Sequence, residues 1–367
     1  MVEETRTRKA DHIRISLKEN TQAKRVTSGF EDVSFVHRAL PEIDKLKIDL
    51  SLSVFKHRFA APLIVGAITG GTQEATRINA TIAEAVEELG LGMGVGSQRA
   101  ALEDKGLVKT FAVVRKKAPS AFIVANLGGI QLVNGYGLKE VRRAIEMIDA
   151  DAVAIHLNTL QEAVQPEGQT NFRGVLGEIG DIAKELDKPV IAKETGAGMA
   201  TEEARRLEAA GVKGIDVSGA GGTSWAAVEY FRAKERGNSH GHRLGDTFWD
   251  WGIPTAVSIA EVSQTVRIPV VASGGIRNGL EIAKALALGA SIASFSQPAL
   301  QAAVKGVGEM KNALSLLVDE LRTAMFLVGA GSVQSLHEAP LVIMGKTAEW
   351  LRLRGFAPEV CAQKGRA

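Results

Sequence analysis

Four polar side chains, His156, Asn158, Gln161 and Glu162, stand within seven residues of one another behind the apolar run Ala152-Val-Ala-Ile155. Imidazole, amide and carboxylate at that density suit a divalent cation, a phosphate or a reacting carbon, and Mg²⁺ is commonly held by a carboxylate together with a ligand's phosphates. Gln161 can only hydrogen-bond. A second cluster, Ser273-Gly-Gly-Ile-Arg277, has the composition of an anion cradle. Its glycines let backbone N–H groups approach a phosphate, and a helix starting there adds partial positive charge. Ser97-Gln-Arg99 is a further basic tip, for which a plain surface charge is the ordinary alternative. Arg8-Lys-Ala-Asp-His12 reads as a solvated tail, the default for a terminus, or as an arm that closes over an anion.

Lys193 ends the apolar run Val190-Ile-Ala192, where a buried ammonium needs a partner. It suits a Schiff base, a cation facing an electron-rich ring edge, or an ordinary salt bridge. Glycine-rich tips at Thr69-Gly-Gly71, Gly128-Gly129 and Gly219 to Gly222 favour a large flat ligand approached by backbone. A flavin mononucleotide satisfies both ends, its phosphate on the Ser273–Arg277 turn and its ring beside Lys193.

These tips need a scaffold that collects them. From Pro62 onward short apolar runs alternate with amphipathic stretches, the pattern of repeated βα units and a parallel sheet. Eight strands are expected, at 63–68, 91–95, 122–125, 152–156, 190–193, 214–217, 270–272 and 291–295, with helices at 76–89, 138–148, 202–210 and 279–288 among the connections. Eight units over a barrel-sized length of ~250 residues predict a (β/α)₈ TIM barrel, with active-site groups at the C-terminal strand ends. Residues 1–60 form the expected N-terminal arm contributing to the site, and 61–367 the flavin-binding barrel with its C-terminal helices. The stretches 311–328 and 339–354 read as the last barrel helix and an appended extra C-terminal helix. The connection from Thr223 to Pro254, with Trp225, Trp249 and Trp251, is a lid, an interface or a disordered segment.

Composition narrows the class. Lys plus Arg (44) nearly balances Asp plus Glu (42), so the net charge of +2 proposes neither nucleic acid nor a membrane surface as partner. The single cysteine, Cys361, excludes an internal disulfide and a cysteine-cluster metal site. No apolar run approaches the ~20 residues of a spanning helix and no signal-peptide core is visible, so a soluble cytoplasmic protein is expected.

The motifs Arg8-Lys-Ala-Asp-His12, Ser97-Gln-Arg99 and His156-Leu-Asn-Thr-Leu-Gln-Glu162, together with Thr69-Gly-Gly71, Lys193-Glu194, Ser218-Gly-Ala-Gly-Gly-Thr-Ser-Trp225 and Ser273-Gly-Gly-Ile-Arg277, give the whole chain a resemblance to the type 2 isopentenyl-diphosphate isomerases. The resemblance implies a reversible allylic shift between isopentenyl and dimethylallyl diphosphate, C5 isoprenoid substrates, without net redox change. Reduced FMN would act as the acid–base group, NAD(P)H would serve only to reduce it, and Mg²⁺ would sit on the diphosphate. By the same resemblance Gln161 assists proton transfer as the catalytic side chain and Glu162 binds Mg²⁺. Arg8, Lys9, His12, Ser97, Arg99, His156 and Asn158 hold the diphosphate. The flavin contacts are Thr69, Ser97, Asn126, Lys193, Ser218 and Thr223, with Gly275 and Arg277 in the phosphate turn and the strand tips Ala67-Ile68 and Ala293-Ser294 beside them. A homotetramer or homo-octamer is implied as well.

The chain departs from the family pattern at Ile292-Ala-Ser-Phe295, where a glycine is expected for the second half of the phosphate cradle, and at Thr159, a place often held by proline. The nearest rival is a flavin-dependent oxidoreductase of the 2-hydroxy-acid oxidase type, which resembles this barrel but carries a catalytic histidine in a Ser-Asn-His-Gly tip. Here that tip is Ser218-Gly-Ala-Gly221, without the base. An inosine-monophosphate-dehydrogenase-like chemistry needs a loop cysteine, and Cys361 lies beyond the barrel. A non-catalytic flavin or phosphate scaffold would keep the phosphate turn and need neither Gln161 nor Glu162.

Overall fold

The computed structural model describes residues 2–364. Eight parallel strands close into a barrel in sequential order: Leu63–Val65, Gly92–Gly94, Phe122–Gly128, Ala152–Leu157, Val190–Glu194, Gly214–Asp216, Val270–Ala272 and Ile292–Phe295. Closure comes from the eighth strand pairing with the first through Ala293↔Leu63 and Ser294↔Ile64. The (β/α)₈ expectation holds, and each strand falls within or beside its expected run.

Local chemistry explains the boundaries. The helix Gln73–Leu89 starts where the Thr72 hydroxyl accepts the Ala75 N–H at 3.0 Å and stops at Gly90, whose φ of 63° is costly for a residue with a Cβ. Its buried positions Ala75, Ile78, Ile82, Ala85 and Val86 recur at helical spacing and pack on the barrel.

Three segments differ from expectation. The N-terminal stretch is no solvated tail: Val2–Lys18 is a helix whose Ile13 and Ile15 are buried. The stretch 339–354 splits into a strand, Leu341–Ile343, and a helix, Gly345–Leu353, because the strand pairs antiparallel with Val33–Phe35 of the arm. That pairing partner lies three hundred residues away in sequence, so no local periodicity announces it. The long connection after Thr223 is folded into two helices, Trp225–Glu235 and Ser239–Thr247.

The barrel floor is sealed by the hairpin Leu52–Val54 and His57–Phe59. Phe59, fully buried, packs with Val54 against Ile64, Phe122, Val124, Ile191 and Ile292, and Phe55 stacks on Phe122 at 5.8 Å. With the N-terminal end plugged by aromatic rings, only the C-terminal end can admit a ligand. Phe59→Ala should therefore lower the free energy of unfolding by about 3–5 kcal/mol, read as a reduced urea midpoint, while the folded fraction keeps its flavin affinity. An unshifted midpoint would show that the hairpin is not part of the cooperative core.

Candidate active site

A cavity of about 260 Å³ opens at the C-terminal strand ends. Parallel register brings the tips to one level, with Gly128 beside His156, His156 beside Lys193, and Lys193 beside Asp216. Arg8, Lys9, His12, Ser97, Arg99, His156, Asn158, Gln161 and Glu162 all line it, as do Ala67, Ile68, Thr69, Asn126, Lys193, Ser218, Thr223, Gly275, Arg277 and Ser294. Ala293 does not, since its side chain is wholly buried in the apolar core; the strand-eight tip meets the cavity through Ser294, Phe295, Ser296 and Gln297 instead. Alternation along a strand sends neighbours to opposite faces, so Ala293 and Ser294 cannot both face inward.

On the fourth strand, His156 Nδ1 lies 2.8 Å from Asn126 Oδ1, and the Asn126 amide nitrogen donates to Val95 O at 3.0 Å. Asn126 therefore accepts, which places the imidazole proton on Nδ1 and leaves Nε2 as an acceptor while the ring is neutral. Burial, then the charges of Lys193, Lys9 and Arg8, lower the His156 pKa to about 3. The short helix Thr159–Val164 follows. Asn158 Nδ2 donates to Gln161 Oε1 at 3.2 Å and Glu162 Oε1 at 2.9 Å, so its remaining polar atom is the carbonyl oxygen. Glu162 Oε2 accepts from Gln165 Nε2 and the Gln169 N–H, both at 2.7 Å. The carboxylate is buried yet held on both oxygens.

The arm meets this helix across a buried ion pair. Glu229, fully buried on the helix Trp225–Glu235, accepts from Gln161 Nε2 at 3.2 Å and contacts His12 Nε2 at 3.0 Å with the same oxygen. Its other oxygen pairs with Arg232, which reaches Glu167 at 2.6 Å. Burial pushes the Glu229 carboxyl up, but the His12 hydrogen bond and the charges of His12 and Arg232 outweigh this and leave it at about 2. His12 itself is drawn below its ordinary value, chiefly by burial. Arg232 and His12 thus meet the Glu229 carboxylate on its two oxygens. Lys9 donates to the Ser97 carbonyl and lies 5.0 Å from the Phe111 ring centroid. Burial, then Arg8, lower its pKa to about 7.

On the opposite wall Lys193 donates to Glu194 O at 2.7 Å and lies 3.5 Å from Asp216, which also accepts from the Ser273 hydroxyl. The glycine tips first serve each other. At Gly274, φ is 102° and a Cβ would stand 2.2 Å from Gly219 O, so the strand-six and strand-seven loops are packed backbone on backbone. Ser218, with φ of 37°, is a non-glycine residue held in the left-handed region at the cavity edge. The Arg277 guanidinium donates to Gln22 Oε1 at 2.6 Å, joining the phosphate turn to the arm. The close glycine backbone of this turn, the adjacent Arg277 and the Ser294 and Ser296 hydroxyls form a cradle that fits an FMN phosphate, with Lys193 placed for the ring. A cation site fits at Glu162, where Asn158 Oδ1 and Gln165 Oε1 are buried oxygens without hydrogen-bond partners among the described residues. Among the described residues no group of three or more His, Cys, Asp or Glu forms a larger metal cluster.

Sequence reasoning did not find Glu229, Arg232, Asp216, Gln165 or Gln22. The Ser224 cap with Glu229 and Arg232 three apart could have marked a helix carrying an ion pair, but nothing local says that the pair is buried. Gln22 and Asp216 act through contacts 255 and 57 residues away, which no spacing reveals.

Comparison with known proteins agrees with this architecture. Residues 141–343 match the FMN-dependent dehydrogenase family. Solved structures with similar folds include a lactate oxidase of Pediococcus acidilactici (TM-score 0.65, 16% identity, 94% of each chain) and a mandelate oxidase (TM-score 0.63, 20% identity, 94% of this chain and 98% of the other). Similar full-length relatives are the isopentenyl-diphosphate delta-isomerases of Methanosarcina barkeri, 49% identical over 97% of each chain, and Pyrococcus furiosus, 50% identical over 96% of this chain and 91% of the other. Nearly full coverage at such identity, on a flavin barrel whose tips carry the motifs above, makes this chain a member of the type 2 isopentenyl-diphosphate delta-isomerase family.

Proposed function

We propose that this isomerase interconverts isopentenyl and dimethylallyl diphosphate using reduced FMN as the acid–base group and Mg²⁺ on the diphosphate. The observation that carries the reading is the protonation state of the cavity's own side chains. An unactivated alkene needs a strong acid in a dry site. His156 is neutral down to about pH 3, Glu229 is ionised down to about pH 2, and Gln161 does not titrate. None is a proton donor at neutral pH, and the Lys9 ammonium, about half present there, is far too weak an acid for an unactivated alkene. Reduced FMN, when bound, supplies the acid and the base that exchange protons with carbon.

The chain's own residues then have separate work. Arg8, Lys9, His12, Ser97, Arg99 and His156 bind the diphosphate from the arm and from the tips of strands two and four. Gln161, held at both ends of its amide by Asn158 and Glu229, keeps one orientation beside the carbon chain. Glu162 holds Mg²⁺, whose charge offsets that of the diphosphate. Thr69, Asn126, Lys193, Ser218 and Thr223 surround the flavin, with Ala67 and Ile68 at its edge and Gly275, Arg277 and Ser294 at its phosphate. NAD(P)H serves as the reductant, and the enzyme works as a cytoplasmic homotetramer or homo-octamer. Among the described residues no helix is long and apolar enough to cross a membrane. An oxidase chemistry like that named for the fold relatives would need a base on the strand-six tip, where Ser218-Gly-Ala-Gly221 has none.

The direct assay is isomerisation of isopentenyl diphosphate by the FMN-loaded protein, expected only with reduced flavin and Mg²⁺. Turnover on oxidised flavin without a reductant would refute the mechanism. Glu162→Gln should raise the Mg²⁺ concentration needed for half activity by at least about tenfold, through loss of the charge a hard cation requires, and leave flavin affinity unchanged. Equal loss of flavin would make Glu162 structural. Lys9 offers a test by pH. Its ammonium is half lost at about pH 7 in the free protein, and a bound diphosphate favours the charged form, so binding at pH 8 takes up a proton. Affinity should fall as pH rises above about 7. Calorimetry in buffers of different ionisation enthalpy should count uptake of up to about one proton, absent in Lys9→Met; buffer-independent heats in the wild type would contradict the assignment.

A further inference from the structure

Gln165 has no part in the functional reading above, yet it is one of the most constrained side chains of the cavity. Pro166 follows it and ends the helix Thr159–Val164, and Gln165 N donates to Gln161 O at 3.0 Å. The turn is closed by Gly168 N donating to Gln165 O at 3.0 Å, and a Cβ on Gly168 would fall 1.8 Å from Glu162 O. Glu167 anchors the same turn to Arg232 at 2.6 Å. The segment is a built support.

What it supports is the Glu162 carboxylate, gripped from both sides by amide nitrogens. Asn158 Nδ2 takes Oε1 at 2.9 Å and Gln165 Nε2 takes Oε2 at 2.7 Å. Flipping either amide would set oxygen against carboxylate, so the grip fixes where the carbonyl oxygens lie. Both side chains are 95% buried, and among the described residues Asn158 Oδ1 and Gln165 Oε1 have no hydrogen-bond donor. Leaving such an oxygen bare forfeits the hydrogen bonds that water would have given it. The nearby cations do not supply donors: Arg232 is engaged by Glu229 and Glu167, Lys193 by Glu194 O and Asp216, and Lys9 by Ser97 O. An ionised diphosphate offers acceptors only, and would be repelled by amide oxygens. The group that satisfies a carboxylate flanked by two neutral oxygens is a hard divalent cation with its hydration shell, whose waters are strong donors.

Resting on the Glu162 cation reading, we propose that Gln165, with Asn158, forms the outer shell of that cation site, orienting Glu162 through its N–H and accepting from the cation's hydration shell through its carbonyl oxygen. Asn158 thereby meets the substrate through the cation and not by gripping phosphate directly. Outer-shell partners commonly set metal affinity by one to two orders of magnitude.

The test is Mn²⁺ binding to the FMN-loaded protein with inorganic diphosphate, followed by the electron paramagnetic resonance of free Mn²⁺. Gln165→Met, of similar shape and without either hydrogen-bonding group, should weaken Mn²⁺ binding about 10- to 100-fold. FMN affinity should stay unchanged and the metal-free protein should keep a single cooperative melt, since the bare oxygen and the N–H contact to Glu162 are lost together. Gln165→Glu keeps an acceptor, adds charge and should bind Mn²⁺ at least ten times more tightly than Gln165→Met. Wild-type affinity in Gln165→Met overturns the proposal, as does equally weak binding by both variants, which would leave only the N–H contact to Glu162. Should Mn²⁺ binding prove insensitive to Glu162→Gln as well, the cation reading itself fails; sensitivity to Glu162→Gln but not to Gln165→Met removes the outer shell alone.

Discussion

The buried pair of Glu229 and Arg232 holds together the side of the cavity where the arm, the strand-four helix and the turn after it converge. Glu229 receives Gln161 and meets His12, while Arg232 reaches Glu167. Taking two charges out of water gains little net stability, and removing either partner costs about 3–5 kcal/mol because the other is left uncompensated. The value of the pair is positional. Glu229 Oε1 takes both Gln161 and His12 while Arg232 Nη2 takes Glu167, so Gln161, the turn after its helix and the arm share one frame.

The opposite side depends on close backbone approach. Gly274 against Gly219, and Gly222 against Gly275, bring the strand-six and strand-seven loops closer together than any side chain would permit. The phosphate turn is thus shaped before a ligand arrives. Gln22 then ties its Arg277 to the arm, and the Trp249 indole nitrogen donates to Gln22 O at 2.9 Å. One arm residue thus joins the strand-seven turn, the strand-six loop at Thr223 and the connection that carries Trp249. At the floor, the Phe55 and Phe59 hairpin supplies the apolar plug against which the strands are registered.

Burial also sets the chemistry. His156 near 3 and Lys9 near 7 are groups whose charged forms burial and neighbouring cations disfavour, while Glu194, pushed up to about 7 by burial, accepts three backbone N–H groups and shapes the Thr195–Ala197 loop.

The barrel was legible because each strand is a short apolar run and each helix repeats at helical spacing, signals carried within a dozen residues. So were the tips: His156, Gln161, Glu162, Lys193 and Arg277 are polar groups at the ends of apolar runs, and a barrel sends those ends to one side. The arm helix, the Val33–Phe35 pairing with Leu341–Ile343, and the fold of the long connection were not legible, since their stability comes from partners far along the chain. Roles within the cluster divide the same way. Residue types showed that Glu162 suits a cation and Gln161 does not, which is a property of the side chains alone. Only the tertiary structure decided that Asn158 and Gln165 turn their nitrogens to Glu162 and leave oxygens bare, that Ala293 faces the core, and that Glu229 with Arg232 frames the site. Hydrogen-bond direction and burial belong to neighbours in space, and the chain does not write those neighbours side by side.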